Sequence, residues 1–148
     1  LNNQLTDFAF DPMDGDRLVA NAVAGGKRPR SSMSPTLVFD ASNGQLLMSG
    51  GSPGGAQIIH YTAKLLTATL QGGMNAQQAI NLPNFGSLNG PTQLEAGRFP
   101  STMVQALQAR GHEVREVDMT SGLQAIERTP GGWFGGADPR REGVVLGD

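Results

Sequence analysis

The sequence predicts an α+β fold built from layered sheets and helices. Three observations carry that prediction. Short runs rich in β-branched and aromatic residues, bounded by turn signals, alternate in blocks with stretches whose apolar residues recur at helical spacing. Twenty-one glycines and nine prolines in 148 residues imply many tight turns, which weighs against a helical bundle. No internal repeat, low-complexity tract or linker divides the chain, so residues 1–148 read as one domain with length enough to bury a core.

Residues 1 to about 26 read as loop, with Asp11-Pro12 and Asp14-Gly15 as turn signals and neither period sustained, so no independent core is expected there. Pro35-Thr36-Leu37-Val38-Phe39 predicts a strand, Ser42-Asn43-Gly44 a hairpin turn, and Gln45 to Ser49 the returning strand. After Gly50-Gly51-Ser52-Pro53-Gly54-Gly55, the positions Ile58, Ile59, Thr62, Leu65, Leu66 and Leu70 follow helical spacing as far as Gly72-Gly73. A shorter helix is expected from Ala76 to Leu82, stopped by Pro83, and another from Pro100 to Ala109 with Gly111 beyond its end. Val114 and Val117 mark a strand within 112–118, and Leu123 and Ile126 a strand within 122–128. The latter connects through Thr129-Pro130-Gly131-Gly132 to Trp133-Phe134, a pair that reads as core or packing residues. Strand order does not follow from these patterns.

Composition removes several function classes. Hydrophobic residues make up 38% and charged residues 16%, within or below the globular range. A net charge of -2 and a pI near 5.6 give no general electrostatic reason to bind nucleic acid. The absence of cysteine excludes disulfides, thiol catalysis and cysteine-ligated metals, and leaves the redox compartment open. No apolar run approaches the roughly 20 residues that span a bilayer, and Leu1 opens into polar residues without a signal-like segment. A start at Leu1 rather than at a methionine points to a piece of something longer. His60 and His112 are far apart and lack paired-ligand spacing, so no metal or cofactor is expected.

Three constellations could carry chemistry. Gly51-Ser52-Pro53-Gly54-Gly55 precedes an amphipathic helix. Free N–H groups at a helix start carry the positive end of the dipole, and glycines admit a ligand close to that backbone, so an oxyanion or carboxylate would bind well. A plain glycine turn is the competing reading, and neither a P-loop nor a dinucleotide fingerprint is present. In Lys27-Arg28-Pro29-Arg30-Ser31-Ser32-Met33-Ser34-Pro35, three cations and three hydroxyls precede a strand. Such donors can hold a carboxylate, and a solvated basic loop is the alternative. No nucleophile-elbow pattern surrounds Ser31 or Ser32, which argues against serine catalysis. In Leu1-Asn2-Asn3-Gln4-Leu5-Thr6-Asp7-Phe8, a carboxamide and a carboxylate three residues apart can jointly receive an ammonium group.

In this order and at these intervals, these segments resemble the gamma-glutamyltranspeptidase family of N-terminal nucleophile hydrolases. The resemblance rests on Leu-Asn-Asn-Gln-x-x-Asp-Phe, Lys-Arg-Pro-x-Ser-Ser-Met-Ser-Pro-Thr and Gly-Ser-Pro-Gly-Gly together. It is extended by the closing Gly136-Ala137-Asp138-Pro139-Arg140-Arg141-Glu142-Gly143 and covers essentially the whole chain. It implies a layered αββα fold, of which this chain would be the C-terminal part of the small subunit. A precursor would cleave itself to expose an N-terminal threonine, acting as nucleophile and, through its amine, as base. The implied substrates are gamma-glutamyl amides such as glutathione, with transfer to water or to an amino-acid or peptide acceptor, and no cofactor. By motif position, Gln4 and Asp7 would hold the substrate's α-amino group, Ser31 and Ser32 its α-carboxylate, and Gly54 and Gly55 would supply oxyanion-hole N–H groups.

Two departures accompany the resemblance. The small-subunit start with its threonine would lie upstream of Leu1, and the large subunit, which contributes an arginine for the substrate carboxylate, is not part of this sequence. The chain alone is therefore expected to be inactive, and to associate with itself or to be less stable than the intact heterodimer. Pro83-Asn84-Phe85-Gly86-Ser87 also differs from the Pro-Arg-x-His-His-Gln pattern of some family members. The alternatives are a cephalosporin or glutaryl acylase of the same family, against which Asp7 argues because an ammonium partner is retained, and a non-catalytic ligand-binding domain that has lost the threonine. Family analogy implies a periplasmic or secreted location.

Overall fold

A computed structural model describes residues 3–147. The chain forms two compact units, Leu1–Ser32 and Met33–Asp148, each described by itself.

The first unit is mostly irregular, as its turn-rich sequence implies. Gln4–Asp7 forms one 3-10 turn, and the Asp14-Gly15 signal becomes a two-residue antiparallel ribbon of β1 (Met13–Asp14) and β2 (Arg17–Leu18), with Met13 opposite Leu18. Asp11 Oδ1 accepts the Met13 N–H at 3.0 Å, a side-chain bond that sets the start of the ribbon. Bonds from Val19 N–H to Pro12 O (2.9 Å) and from Ala9 N–H to Asn21 O (3.0 Å) close the loops on themselves. Phe8 and Ala22 are its buried apolar residues. Leu1 and Asn2, which open the first motif, lie outside the described residues.

In the second unit the expected hairpin forms from β3 (Thr36–Phe39) and β4 (Leu46–Gly51). Gly44 N–H to Asp40 O and Asp40 N–H to Gln45 O, both 2.8 Å, close its turn. β8 (Gln124–Thr129) and β9 (Gly132–Ala137) complete an antiparallel sheet in the order β3-β4-β8-β9. Helices α1 (Ile58–Leu70) and α2 (Ala76–Asn81) cover one face of it, around Met48, Tyr61, Leu65, Ala76, Ala79, Ile80, Leu123 and Ala125. Helix α2 starts on a capping box in which Asn75 Oδ1 accepts from Gln78 N–H (2.9 Å) and Gln78 Oε1 from Asn75 N–H (3.0 Å). It lies so close on β9 that a Cβ at Gly136 would stand 2.9 Å from both Gln77 N and Ile80 Cδ1.

A second sheet, β5-β6-β7, combines Phe85–Gly86 (β5), Thr92–Glu95 (β6) and Val114–Val117 (β7). β6 and β7 are parallel, and α3 (Ser101–Ala109) provides the crossover such a pair needs. The sequence pattern did not reveal β5 and β6. One is two residues long, and the other, Thr-Gln-Leu-Glu, carries a single strongly apolar residue.

Two packing expectations are corrected. The buried side of α1 is Ile58, Tyr61, Thr62, Lys64, Leu65 and Ala68, while Ile59 and Leu70 face outward. Trp133 and Phe134 are not core, being 51% and 39% exposed. They sit at the far end of the edge strand from Gly136, where α2 rests, and the Arg128 guanidinium lies over the Trp133 ring at 4.8 Å.

A buried polar cluster joins the two sheets. Arg140 donates to Glu95 through Nε (2.6 Å) and Nη2 (2.7 Å), to Asp138 Oδ1 through Nη1 (3.1 Å), and to the Ile80 and Leu82 carbonyls at 3.1 and 3.0 Å. Asp138, 1% exposed, also accepts from Ser121 Oγ (2.5 Å) and Leu123 N–H (3.1 Å). Asn84 donates its N–H to Glu95 (2.7 Å) and its Nδ2 to Ser121 Oγ (2.8 Å). Lys64 Nζ reaches the same Ile80 and Leu82 carbonyls, at 3.2 and 2.7 Å.

Burial alone would raise the Glu95 carboxyl, but the Arg140 hydrogen bonds and the Asn84 N–H hold it below the ordinary glutamate range. Its contribution is therefore present above that range and lost as pH falls through it. Glu95→Gln should destabilise the fold by about 3 kcal/mol near neutral pH, by leaving a buried guanidinium without its counter-charge. Denaturant titrations should see that gap narrow as pH falls below the ordinary glutamate range. Lys64 is pushed the other way, from 10.5 to about 8, first by burial and then by Arg140. The folded state then binds fewer protons than the unfolded state between these values, so stability rises with pH across that window. Relative to Lys64→Met, the wild type should gain on the order of 2 kcal/mol between pH 8 and 10.5 in the same titrations.

Candidate functional site

Four of the six residues singled out from the sequence fall in the first unit, and their local geometry follows from short-range bonding. A 3-10 turn has three residues per turn, so Gln4 and Asp7 project from the same edge. Both are half-buried, while the intervening Leu5 and Thr6 are exposed. The turn is closed on Asn3 O, which accepts from Thr6 N–H (3.1 Å) and Thr6 Oγ1 (2.7 Å). Ser31 and Ser32 lie outside the helices and strands, directly after Arg30. Within the basic run, Lys27 is committed to backbone, with Nζ on the carbonyls of Ala20 (2.5 Å) and Ala22 (2.9 Å).

One side chain that sequence reasoning passed over links these segments. Asn21 donates through Nδ2 to Asp7 O at 2.7 Å, and its Oδ1 accepts the Arg30 N–H at 2.9 Å. An asparagine inside an irregular loop carries no periodic signal, and only its position between the two motifs could have drawn notice.

Gly54 and Gly55 belong to the second unit, between β4 and α1. Gly54 has φ +144° and Gly55 φ +55°, conformations that favour glycine, and a Cβ at Gly54 would stand 2.6 Å from the Tyr61 ring. Gly55 opens a 3-10 turn, Gly55–Gln57, that runs directly into α1. Backbone N–H groups at a helix start lack intrahelical acceptors and carry the positive end of the dipole, an arrangement that favours negative charge nearby. Its neighbours are tied down. Ser52 Oγ accepts the Gly122 N–H (3.0 Å) and donates to Pro53 O (2.7 Å), the Pro53 ring packs against Gly122, and Gln57 Nε2 donates to Gln93 Oε1 of β6 at 2.5 Å. Tyr61 and Ser52, not the glycines alone, therefore set the shape of the loop.

The histidines stay outside these arrangements. His60 packs its ring against Gly86, and His112 shares a hydrogen bond with Thr92 Oγ1 at 3.0 Å. A groove of about 530 Å³ along α1, lined by His60, Lys64, Met74, Leu82 and Phe85 among others, contains none of the six singled-out residues. Among the described residues no group of three or more His, Asp or Glu converges as metal ligands would.

The chain is similar to known proteins over its whole length. It is 36% identical over 151 residues to the glutathione hydrolase proenzyme of Escherichia coli strain K12, an alignment that covers 95% of this chain and 25% of the relative. It is 32% identical over 131 residues to the Acylase ACY 1 proenzyme of Pseudomonas sp. strain V22, covering 88% of this chain and 22% of the relative. The crystal structure of an acivicin-inhibited gamma-glutamyltranspeptidase superposes with a TM-score of 0.81 at 31% identity, covering 96% of this chain and 80% of that one. The chain spans about a quarter of the length of the first curated relatives it matches. Its mixed sheets and helices are thus part of the N-terminal nucleophile hydrolase fold. With the model of the gamma-glutamyltranspeptidase family matching residues 1–148, the chain belongs to that family.

Proposed function

We propose that this chain is the C-terminal part of the small subunit of an enzyme that transfers and hydrolyses gamma-glutamyl groups, and that it supplies substrate-anchoring and oxyanion-stabilising groups rather than the nucleophile. The observation that carries the reading is the Gln4–Asp7 turn, which stacks a carboxamide and a carboxylate on one edge as an ammonium group requires. In this reading Asp7 pairs with the donor's α-ammonium, Gln4 accepts a further N–H from it, and the Ser31 and Ser32 hydroxyls donate to the α-carboxylate. A threonine supplied by the rest of the protein attacks the γ-carbonyl carbon. Its hydroxyl proton passes to its own amine as the C–O bond forms, and the carbonyl oxygen gathers negative charge. The N–H groups of Gly54 and Gly55 receive that charge, in the conformation their positive φ values create. Collapse of the intermediate breaks the C–N bond, the proton goes to the leaving amine, and the gamma-glutamyl ester then passes to water or to an amino-acid or peptide acceptor. The chain alone would be inactive, and the whole protein would work outside the cytoplasm.

The acylase reading is favoured by the ACY 1 relative and differs in one group, since a glutaryl donor has no α-ammonium for Asp7 to hold. Release of nitroaniline from gamma-glutamyl and glutaryl anilides by the self-processed full-length protein separates the two. Cleavage confined to the gamma-glutamyl donor supports the transferase, glutaryl preference supports the acylase, and inertness towards both rules out both. Asp7→Ala should lower kcat/KM for the gamma-glutamyl donor roughly 10²- to 10³-fold by leaving the ammonium without a counter-charge, with little effect on a glutaryl donor. Ser52→Ala removes the acceptor of the Gly122 N–H and loosens the glycine loop. It should lower kcat roughly tenfold with KM changed less than about twofold, because the loop acts on charge that exists only in the transition state.

A further inference from the structure

We infer that Asn21 is a positioning residue for recognition of the donor's amino-acid head, holding the ammonium-binding turn and the hydroxyl-bearing segment in register through the two ends of one carboxamide. This rests on the reading of Gln4, Asp7, Ser31 and Ser32 given above and adds to it the group that makes them act together. Asn21 Nδ2 donates to Asp7 O at 2.7 Å and so fixes the peptide plane that leaves the Gln4–Asp7 turn. Asn21 Oδ1 accepts the Arg30 N–H at 2.9 Å and so fixes the backbone that enters Ser31 and Ser32. Among the described residues no sheet ladder joins the two segments, and this side chain bonds to both.

The carboxamide is itself held. Asn21 O accepts the Ala9 N–H at 3.0 Å, and the carbonyls on either side of it, Ala20 O and Ala22 O, are bridged by Lys27 Nζ at 2.5 and 2.9 Å. Asn21 is half-buried and its neighbour Ala22 is 2% exposed, so its bond to Asp7 O faces less competition from water than one in an open loop. Replacing Asn21 by a residue without a carboxamide removes one bond from each segment at once. The donor then has to order them on binding, a cost that appears in binding of the amino-acid head rather than in the chemical step.

The test is steady-state kinetics of the self-processed full-length protein carrying Asn21→Ala, with gamma-glutamyl and glutaryl anilides as donors. The inference expects KM for the gamma-glutamyl donor to rise at least tenfold with kcat within about threefold of wild type, and the slow turnover of the glutaryl donor, which lacks the ammonium, to fall less. Asn21→Asp, which keeps an acceptor for Arg30 but loses the donor to Asp7, should give an intermediate KM. If Asn21→Ala does not self-process, Asn21→Asp is read in its place, with KM expected to rise roughly threefold or more and kcat to stay within about threefold of wild type. Equal losses in kcat for both donors, as general destabilisation would produce, overturn the inference, and so does an unchanged KM. A wild type that cleaves the gamma-glutamyl donor beside an unaffected variant refutes the role of Asn21 alone. A wild type inert towards that donor refutes the functional reading and the inference with it.

Discussion

The second unit depends on the buried guanidinium of Arg140. A guanidinium has five N–H donors in a rigid planar fork, and here all five are used, on both oxygens of Glu95, on Asp138 and on the Ile80 and Leu82 carbonyls. The acceptors belong to three pieces of the architecture. Glu95 ends β6 of the three-stranded sheet, Asp138 follows β9 of the four-stranded one, and the two carbonyls lie at the C-terminal end of α2, where a helix needs positive charge. One side chain therefore bonds to two sheets and a helix that, among the described residues, no ladder of backbone bonds connects. Burying so much charge is tolerable because no donor of the fork is left unpaired.

Around this clamp the remaining polar groups are arranged by the same necessity. Asn84 and Ser121 pass the network from Glu95 to Asp138, and Lys64 adds a second cation at the helix end already served by Arg140. Proximity to Arg140 together with burial drives the lysine's pKa down. The glycine loop before α1 draws on the same region, since Gly122, whose N–H bonds Ser52, directly follows Ser121. Stability and the shape of the glycine loop are in this way properties of one contiguous set of contacts.

The first unit solves a smaller version of that problem. With little apolar surface to bury and, among the described residues, a two-residue ribbon as its paired strands, it is organised by side chains that substitute for a ladder: Asp11 at the ribbon, Asn21 across two segments and Lys27 on two carbonyls. Asparagine and aspartate suit this because their short side chains reach nearby backbone without losing much rotamer freedom.

Local chemistry made much of the fold legible in the sequence. The Asp14-Gly15 and Ser42-Asn43-Gly44 turns, the ends of α1 between glycine pairs, the stop of α2 at Pro83 and the glycine-governed approach to α1 all follow from steric rules that act over a few residues. The residue types suited to an ammonium, a carboxylate and an oxyanion were legible for the same reason, as were the motif intervals that mark the family. Tertiary structure alone decided which side of α1 is buried, that Thr-Gln-Leu-Glu is a strand, that Trp133 stays exposed and that Lys64 lies inside. It alone gave Asn21, Ser52, Tyr61 and Arg140 their partners. Those outcomes depend on contacts between residues far apart in the chain, made largely by single polar side chains to backbone atoms, and such contacts leave no period or composition from which they could be read.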